Sequence, residues 1–274
     1  MNEIIQSWPI IVTLIGTGIF AGLLAGLFGV GGGIVIVPAL YFLLQKFGVS
    51  ASSAMTIATA TSLATIVPTA ISTIRAHYAK GNVNLPLVKY WSGFILLFSV
   101  LGSMVAQELR GNTLTIMFGV IALLVSLNMF FRANASSMFF QLPNKIGQGI
   151  LASLVGFLSV MIGIGGGTIG VPLLTAFNVK THIAVGTAAV FGLLIALPGV
   201  ITLLIIGSTP ADAPFGTFGL VNLPSFFIII PLTMLFSPIG AAIGAKLNQK
   251  QLKRAFSIVL FITSFRMLLL AIGA

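Results

Sequence analysis

GVGGGIVIVP, residues 29–38, interrupts a stretch with no charged residue between Glu3 and Lys46, and a near copy, GIGGGTIGVP, fills residues 163–172. Three glycines in succession break a helix, because each adds backbone freedom and none adds a side chain to pack. Inside an apolar run such a break is costly, since hydrocarbon offers no partner to an unpaired N–H or C=O group. How these two elements sit decides the fold.

Hydrophobic residues make up 58% of the 274 and charged residues 6%. The uncharged stretches 4–45, 47–74, 146–179 and 213–245 each exceed the roughly 20 residues that cross a bilayer. A soluble fold of this size would need far more charge to cover its surface. The chain reads as a single all-α, polytopic membrane domain over residues 1–274, with the lipid bilayer as its first partner. The net charge of +10 does not point to nucleic acid, because the thirteen Lys and Arg are scattered among connections, where they act as topology signals. With no cysteine, disulfides, thiolate chemistry and Cys-ligated metals are excluded. Residues 1–9 have neither a basic n-region nor an A-x-A site, so no cleaved signal peptide is expected.

The chain repeats itself. Residues 29–38 match 163–172 at an offset of 134, Ala54 and Pro68 match Ala184 and Pro198 at 130, and Val83-Asn84-Leu85-Pro86 returns as Val221-Asn222-Leu223-Pro224 at 138. Two repeats follow, residues 5–131 and 143–274, as transporter folds often show. Eight full apolar segments are expected, at 10–28, 54–75, 90–106, 113–131, 146–162, 183–206, 225–245 and 253–273, with two half-length ones at 34–44 and 168–177. If the short segments do not reverse the chain, Lys and Arg divide five against seven between the two sides. If they do, Arg75, Lys80, Lys89, Arg132, Lys145, Lys180, Lys246, Lys250, Lys253 and Arg254 share one side and only Lys46 and Arg110 the other. The positive-inside bias favours the second arrangement. Five elements per repeat, an odd number, then gives inverted repeats with discontinuous, Gly-broken helices.

A break at membrane depth persists only where it faces protein or a polar cavity. Helices beginning near Ile34 and Thr168 present free N–H groups and a positive dipole end, and two such ends meeting near the midplane make an anion site. Gly31, Gly32, Gly33, Gly165, Gly166 and Gly167 are the expected backbone donors, and Thr168 adds a hydroxyl. Pro38 and Pro172 are expected in the early turns, where a missing N–H matters least. Gly18, Gly22, Gly26, Gly240 and Gly244 read instead as helix-packing positions. Residues 165–170 satisfy G-x-G-x-x-G but lack the surroundings of a dinucleotide fold.

Ser53, Thr56, Thr59, Thr61, Ser62, Thr65, Thr69 and Ser72 crowd one segment, with Thr187 as counterpart in the second repeat. Thr61 and Ser62, deepest in that run, are the expected substrate-facing pair, although such hydroxyls also bond back to their own helix. The only acids are Glu3, Glu108 and Asp212, in tails or connections, so no carboxylate stands at the membrane centre to relay protons or bind sodium. A negative interior drives each anionic charge outward by roughly 2.3 kcal/mol per 100 mV, enough for efflux without a coupling ion. His77 and His182 read as interfacial groups. Arg266, equivalent to Asn128 in the first repeat, is placed either to counter an anion or to snorkel outward. An intramembrane protease would need H-E-x-x-H or a serine with a base, and neither is present.

Residues 22–33 (GLLAGLFGVGGG), Ala60-Thr61-Ser62-Leu63, Gly81-Asn82-Val83-Asn84 and residues 163–172 resemble the sulfite exporter TauE/SafE family of bacterial permeases, over nearly the whole chain. The resemblance implies multi-pass transport, usually outward, of sulfite, sulfoacetate or related organosulfonates across the cytoplasmic membrane. In the second repeat Val185-Gly186-Thr187-Ala188-Ala189 lacks the serine that commonly follows the threonine, leaving Thr187 as the residue carried over. The expectation is a permease for a small anionic substrate, needing no cofactor and catalysing no reaction, with Arg266 included in its site. An anion channel of the same architecture is the alternative, and assembly is left open between monomer and homo-oligomer.

Overall fold

The computed structural model describes residues 2–131, 141–244 and 249–273. The topology signals Arg132 and Lys246 lie outside the described residues, as do the side chains of Glu3, Lys250 and Lys253. In chain order the helices are α1 (Asn2–Phe28), α2 (Gly33–Lys46), α3 (Ala51–Tyr78), α4 (Leu85–Glu108), α5 (Gly111–Phe131), α6 (Lys145–Met161), α7 (Gly166–Ala176), α8 (Thr181–Ile206), α9 (Leu223–Gly244) and α10 (Gln249–Ile272). The all-α class has one local exception. Between α8 and α9 the two-residue strands β1 (Thr217–Phe218) and β2 (Val221–Asn222) pair antiparallel around Gly219, whose φ is +56°.

Capping side chains start several of these helices. Ser50 accepts from the Ser53 N–H ahead of α3, and Asn144 accepts from Gly147 at the start of α6. Asn84 and Asn222, the shared asparagines of the two Val-Asn-Leu-Pro turns, cap α4 and α9 by accepting from Leu87 and Ser225. Each gives a helix N–H the acceptor that the chain geometry denies it.

Equivalent helices of the two repeats run antiparallel. The start of α8 lies beside the α3–α4 turn, where the Asn84 N–H donates to Thr187 Oγ1. The start of α3 lies beside the α8–α9 connection, where Ser50 N donates to Asp212 Oδ2. In α5 and α10 the Ser126 hydroxyl donates to the Ser257 carbonyl, while Gly119 packs on Ser264 and Leu268. Exchanging the repeats preserves the packing partners: α1 lies on α9 as α6 lies on α4, and α2 on α3 as α7 on α8. A two-fold relation with equivalent helices antiparallel is an inverted repeat.

The short helices do reverse the chain. Gly18, Gly22 and Gly26 of α1 pack in turn against α9 near Leu232, Thr233 and Ser237, so α1 travels toward the end at which His77 Nε2 meets the Gly26 carbonyl. Gly32 then lies back against Ala21, and α2 returns to the Ser50–Asp212 end. Lys80, whose Nζ donates to the Ala241 carbonyl, therefore shares an end of the molecule with Arg75, Lys89, Lys145 and Lys180, while Lys46, Arg110 and Asp212 occupy the other.

Six helices, among the described residues, are long and apolar enough to cross a membrane. α6 has 17 residues; α2 and α7, at 14 and 11 residues, reach only about 21 and 17 Å against a hydrocarbon core of about 30 Å. α3 is the centre of the bundle, 78% of its apolar window being buried against 28% in α4 and α9. The outer helices turn Leu97, Leu124, Leu235 and Ile262 outward, an apolar belt that lipid covers.

Candidate functional site

The two glycine-rich breaks pack on each other backbone to backbone. A Cβ on Gly33 would stand 2.5 Å from the Gly163 carbonyl oxygen, and a Cβ on Gly167, its equivalent, would overlap the Gly29 carbonyl. At the crossing point a Cβ on Gly31 would come 3.4 Å from Gly165 Cα. Gly29 and Gly163 need glycine for a second reason, with φ of +66° and +69°, where a side chain is strained. The helices start one or two residues earlier than expected, at Gly33 and Gly166.

Two helix N-termini thus meet inside the bundle. The N–H groups of Gly33 and Ile34 in α2, and of Gly166 and Gly167 in α7, have no acceptor among the described residues. Beside them lies a cavity of about 80 Å³, well above the roughly 10–15 Å³ that one water requires. Gly167, Thr168 and Thr175 of α7, Asn128 of α5, and Val30, Ile34, Phe28 and Phe256 line it. Thr168 is 1% exposed and its Oγ1 has no partner among the described residues. Of the four free-amide residues Ile34 and Gly167 line this pocket, with the Thr168 hydroxyl, the Asn128 amide and the dipole end of α7 set in an otherwise apolar wall that carries no charged side chain. Such a wall suits an anion, which brings acceptors and is favoured by the dipole.

Pro38 and Pro172 correct the expectation that they lie where the missing N–H matters least. They are the sixth residue of α2 and the seventh of α7. Each removes the i+4 donor of a carbonyl, that of Ile34 and of Thr168, so both breaks carry a freed acceptor within one residue of their freed donors.

The other expected residues divide by position. Ser62 donates its hydroxyl to the Gly163 carbonyl at 2.7 Å and so braces the second break. Thr61 Oγ1 accepts the Asn222 N–H at 2.9 Å, and Thr187 Oγ1 accepts that of Asn84 at 3.0 Å, each repeat's threonine holding the other's turn. Gly32 caps α2 in the left-handed conformation against Ala21, and Gly166 packs on Phe191 and Gly192. Arg266 is not brought to the Thr168 cavity. It is exposed, lies over the Phe42 ring at 4.6 Å, and lines a separate apolar cavity of about 350 Å³ between α2 and α10. Asn128, its repeat equivalent, is the one that reaches the Thr168 pocket. Phe256, stacked on Phe28 with ring centroids 5.6 Å apart, lines both cavities; nothing in its apolar surroundings marks it in the sequence.

Comparison with known proteins agrees with this architecture. The family model described as "Sulfite exporter TauE/SafE" matches residues 14–267. A "Probable membrane transporter protein" of Haemophilus influenzae is 31% identical over 252 residues, covering 92% of this chain and 96% of its own. Another from Bacillus subtilis, YunE, is 28% identical over 280 residues, covering 92% and 94%, and a third from Methanocaldococcus jannaschii is 27% identical over 260 residues, covering 93% and 94%. No solved structure matches the chain.

Proposed function

Because the chain belongs to the sulfite exporter TauE/SafE family, and is thereby an integral membrane transporter, we propose that it carries small sulfur-containing anions such as sulfite, sulfoacetate or related organosulfonates out across a bacterial cytoplasmic membrane. The observation that carries this reading is the buried, partnerless Thr168 hydroxyl facing the same cavity as the free amides at the start of α7. An oxyanion brings lone pairs on every oxygen, so the few donors in this mostly apolar wall give it partners. Uncharged donors also bind loosely enough to release, which a carrier requires. Asn128 adds a side-chain amide to the wall.

With no carboxylate among the residues lining the cavity, outward movement runs on the membrane potential, about 2.3 kcal/mol per charge per 100 mV. Flux of labelled sulfite from proteoliposomes, with the potential set by valinomycin, tests this. Flux should rise with the potential, saturate, and be competed by sulfoacetate. Flux indifferent to the potential, or equal to that of empty liposomes, would end the reading. Competition by thiosulfate and taurine in the same assay fixes the substrate class.

A further inference from the structure

We propose that a second cavity, at the Asp212 end of α3, is an oxyanion-binding site on the exit side of the crossed breaks, built from uncharged donors alone. It measures about 250 Å³ and lies between the start of α3, the ends of α4 and α8, and the start of α5. Ser52, Thr56 and Thr59 form one stripe of α3 along its wall, spaced as one face of a helix requires. Gln107, from the last turn of α4, and Ser208 face them, and no charged side chain lines it.

Two side-chain atoms single this cavity out. Thr59 Oγ1, on a residue 2% exposed, and Gln107 Nε2 are both buried without a partner among the described residues, and both residues line it. A buried polar group left unsatisfied is destabilising, and an amide nitrogen can be satisfied only by an acceptor. The missing group therefore offers at least one acceptor, which an oxyanion supplies on every oxygen. Thr59 also marks the depth, because a Cβ on Gly163 would lie 2.7 Å from Thr59 Cα. Thr59 thus stands between the cavity and the second break, whose Gly163 carbonyl Ser62 holds.

The site is one-sided. Gly29, the equivalent of Gly163, packs on Val185 as Gly163 packs on Thr59, so the other repeat has an apolar side chain at the corresponding place. This inference rests on the transport reading: an anion leaving the breaks toward the Asp212 end meets Thr59 and Gln107 next.

The test is sulfite flux by the full chain in right-side-out and inside-out membrane vesicles, for the wild type and for Thr59→Val, Gln107→Leu and Gln107→Glu. Each of the first two should raise the half-saturating sulfite concentration about tenfold at the Asp212 face, leave it unchanged at the other face, and keep or raise the thermal midpoint of the wild type. Gln107→Glu, nearly isosteric but anionic, should raise it further. Unchanged half-saturation in all three variants means that the cavity holds only water, and overturns the proposal while leaving the transport reading in place. An equal shift at both faces assigns a merely structural role and overturns it too. Absence of sulfite flux in the wild type would instead overturn the transport reading, and this site with it.

Discussion

Gly33 of α2 faces the Gly163 carbonyl so closely that a single methyl group would stand 2.5 Å from its oxygen, and Gly167 of α7 faces the Gly29 carbonyl in the equivalent way. Each break is thus the other's packing surface, and neither can change alone. Gly33→Ala and Gly167→Ala should each destabilise the protein by about 1–3 kcal/mol through overpacking and abolish flux. Gly93→Ala, at a helical site with nothing within 4 Å, should be neutral or slightly stabilising. Thermal melting in detergent, paired with flux, checks all three.

The crossed pair Thr61–Asn222 and Thr187–Asn84 makes a graded prediction. Valine keeps the shape of threonine but offers no acceptor, so the asparagine N–H loses its partner. Asn222 is 5% exposed and Asn84 only partly buried. Thr61→Val should therefore cost about 1–3 kcal/mol, Thr187→Val less, and Thr→Ser at either site should restore most of the loss. Equal melting of wild type and Thr61→Val would show that this bond does not hold the turn.

Thr168 predicts the opposite separation. Its hydroxyl has no partner among the described residues, so Thr168→Val should keep or raise the melting temperature. If the hydroxyl donates to the anion, a bond to a charged group of about 1.5–3 kcal/mol disappears, and half-saturation should rise about ten- to hundredfold. A variant that melts early yet transports normally would remove Thr168 from the site.

These three cases show what the sequence could and could not convey. The breaks were legible because three glycines have no other use in an apolar run, and the repeats because offsets of 130, 134 and 138 recur in order. The roles of Thr61 and Ser62 were not, because α3 carries hydroxyls at 52, 53, 56, 59, 61, 62, 65, 69, 72 and 73 and no periodicity says which way it is rotated. Thr187 is offset from Thr61 by 126, one helical turn short of the 130 that Ala54 and Pro68 imply, which hides an equivalence that the two asparagine bonds reveal. Arg266 stands out in the sequence because charge in an apolar segment is rare, which leaves it open between countering an anion and snorkelling outward. Its placement over Phe42, away from the Thr168 cavity, depends on a helix rotation that one sequence does not encode. Gln107 falls just outside the apolar segment 90–106, although α4 extends one residue beyond it.

Asp212 predicts a pH dependence confined to acid. Hydrogen bonds from the Ser53 hydroxyl and then from Ser50 hold its carboxyl at about 2, below the usual 3.8. A depressed folded-state value means that docking of the 207–220 connection on α3 contributes fully above pH 3.8 and is lost as pH falls through about 2. The difference in melting temperature between wild type and Asp212→Asn should stay constant from about pH 8 to 5 and shrink below about pH 4. A difference already titrating near pH 6 would contradict this pairing.

The reversal at the second break can be tested directly, because a chain without cysteine accepts single reporter cysteines cleanly. If α7 turns the chain back, Lys80, Lys145 and Lys180 share a face and Arg110 lies on the other, whatever the orientation in the membrane. Cysteines at 80, 145 and 180 should then be labelled together by an impermeant maleimide in one vesicle orientation, and a cysteine at 110 only in the other. The positive-inside bias further assigns the shared face to the cytoplasm. If position 180 were labelled with 110 instead, α7 would not reverse the chain and α3 and α8 would run parallel. The hydrogen bonds Asn84–Thr187 and Asn222–Thr61 could not then both form, because they join opposite ends of α3 and α8. Labelling at that one position therefore bears on the inverted repeat and on the convergence of the two breaks together.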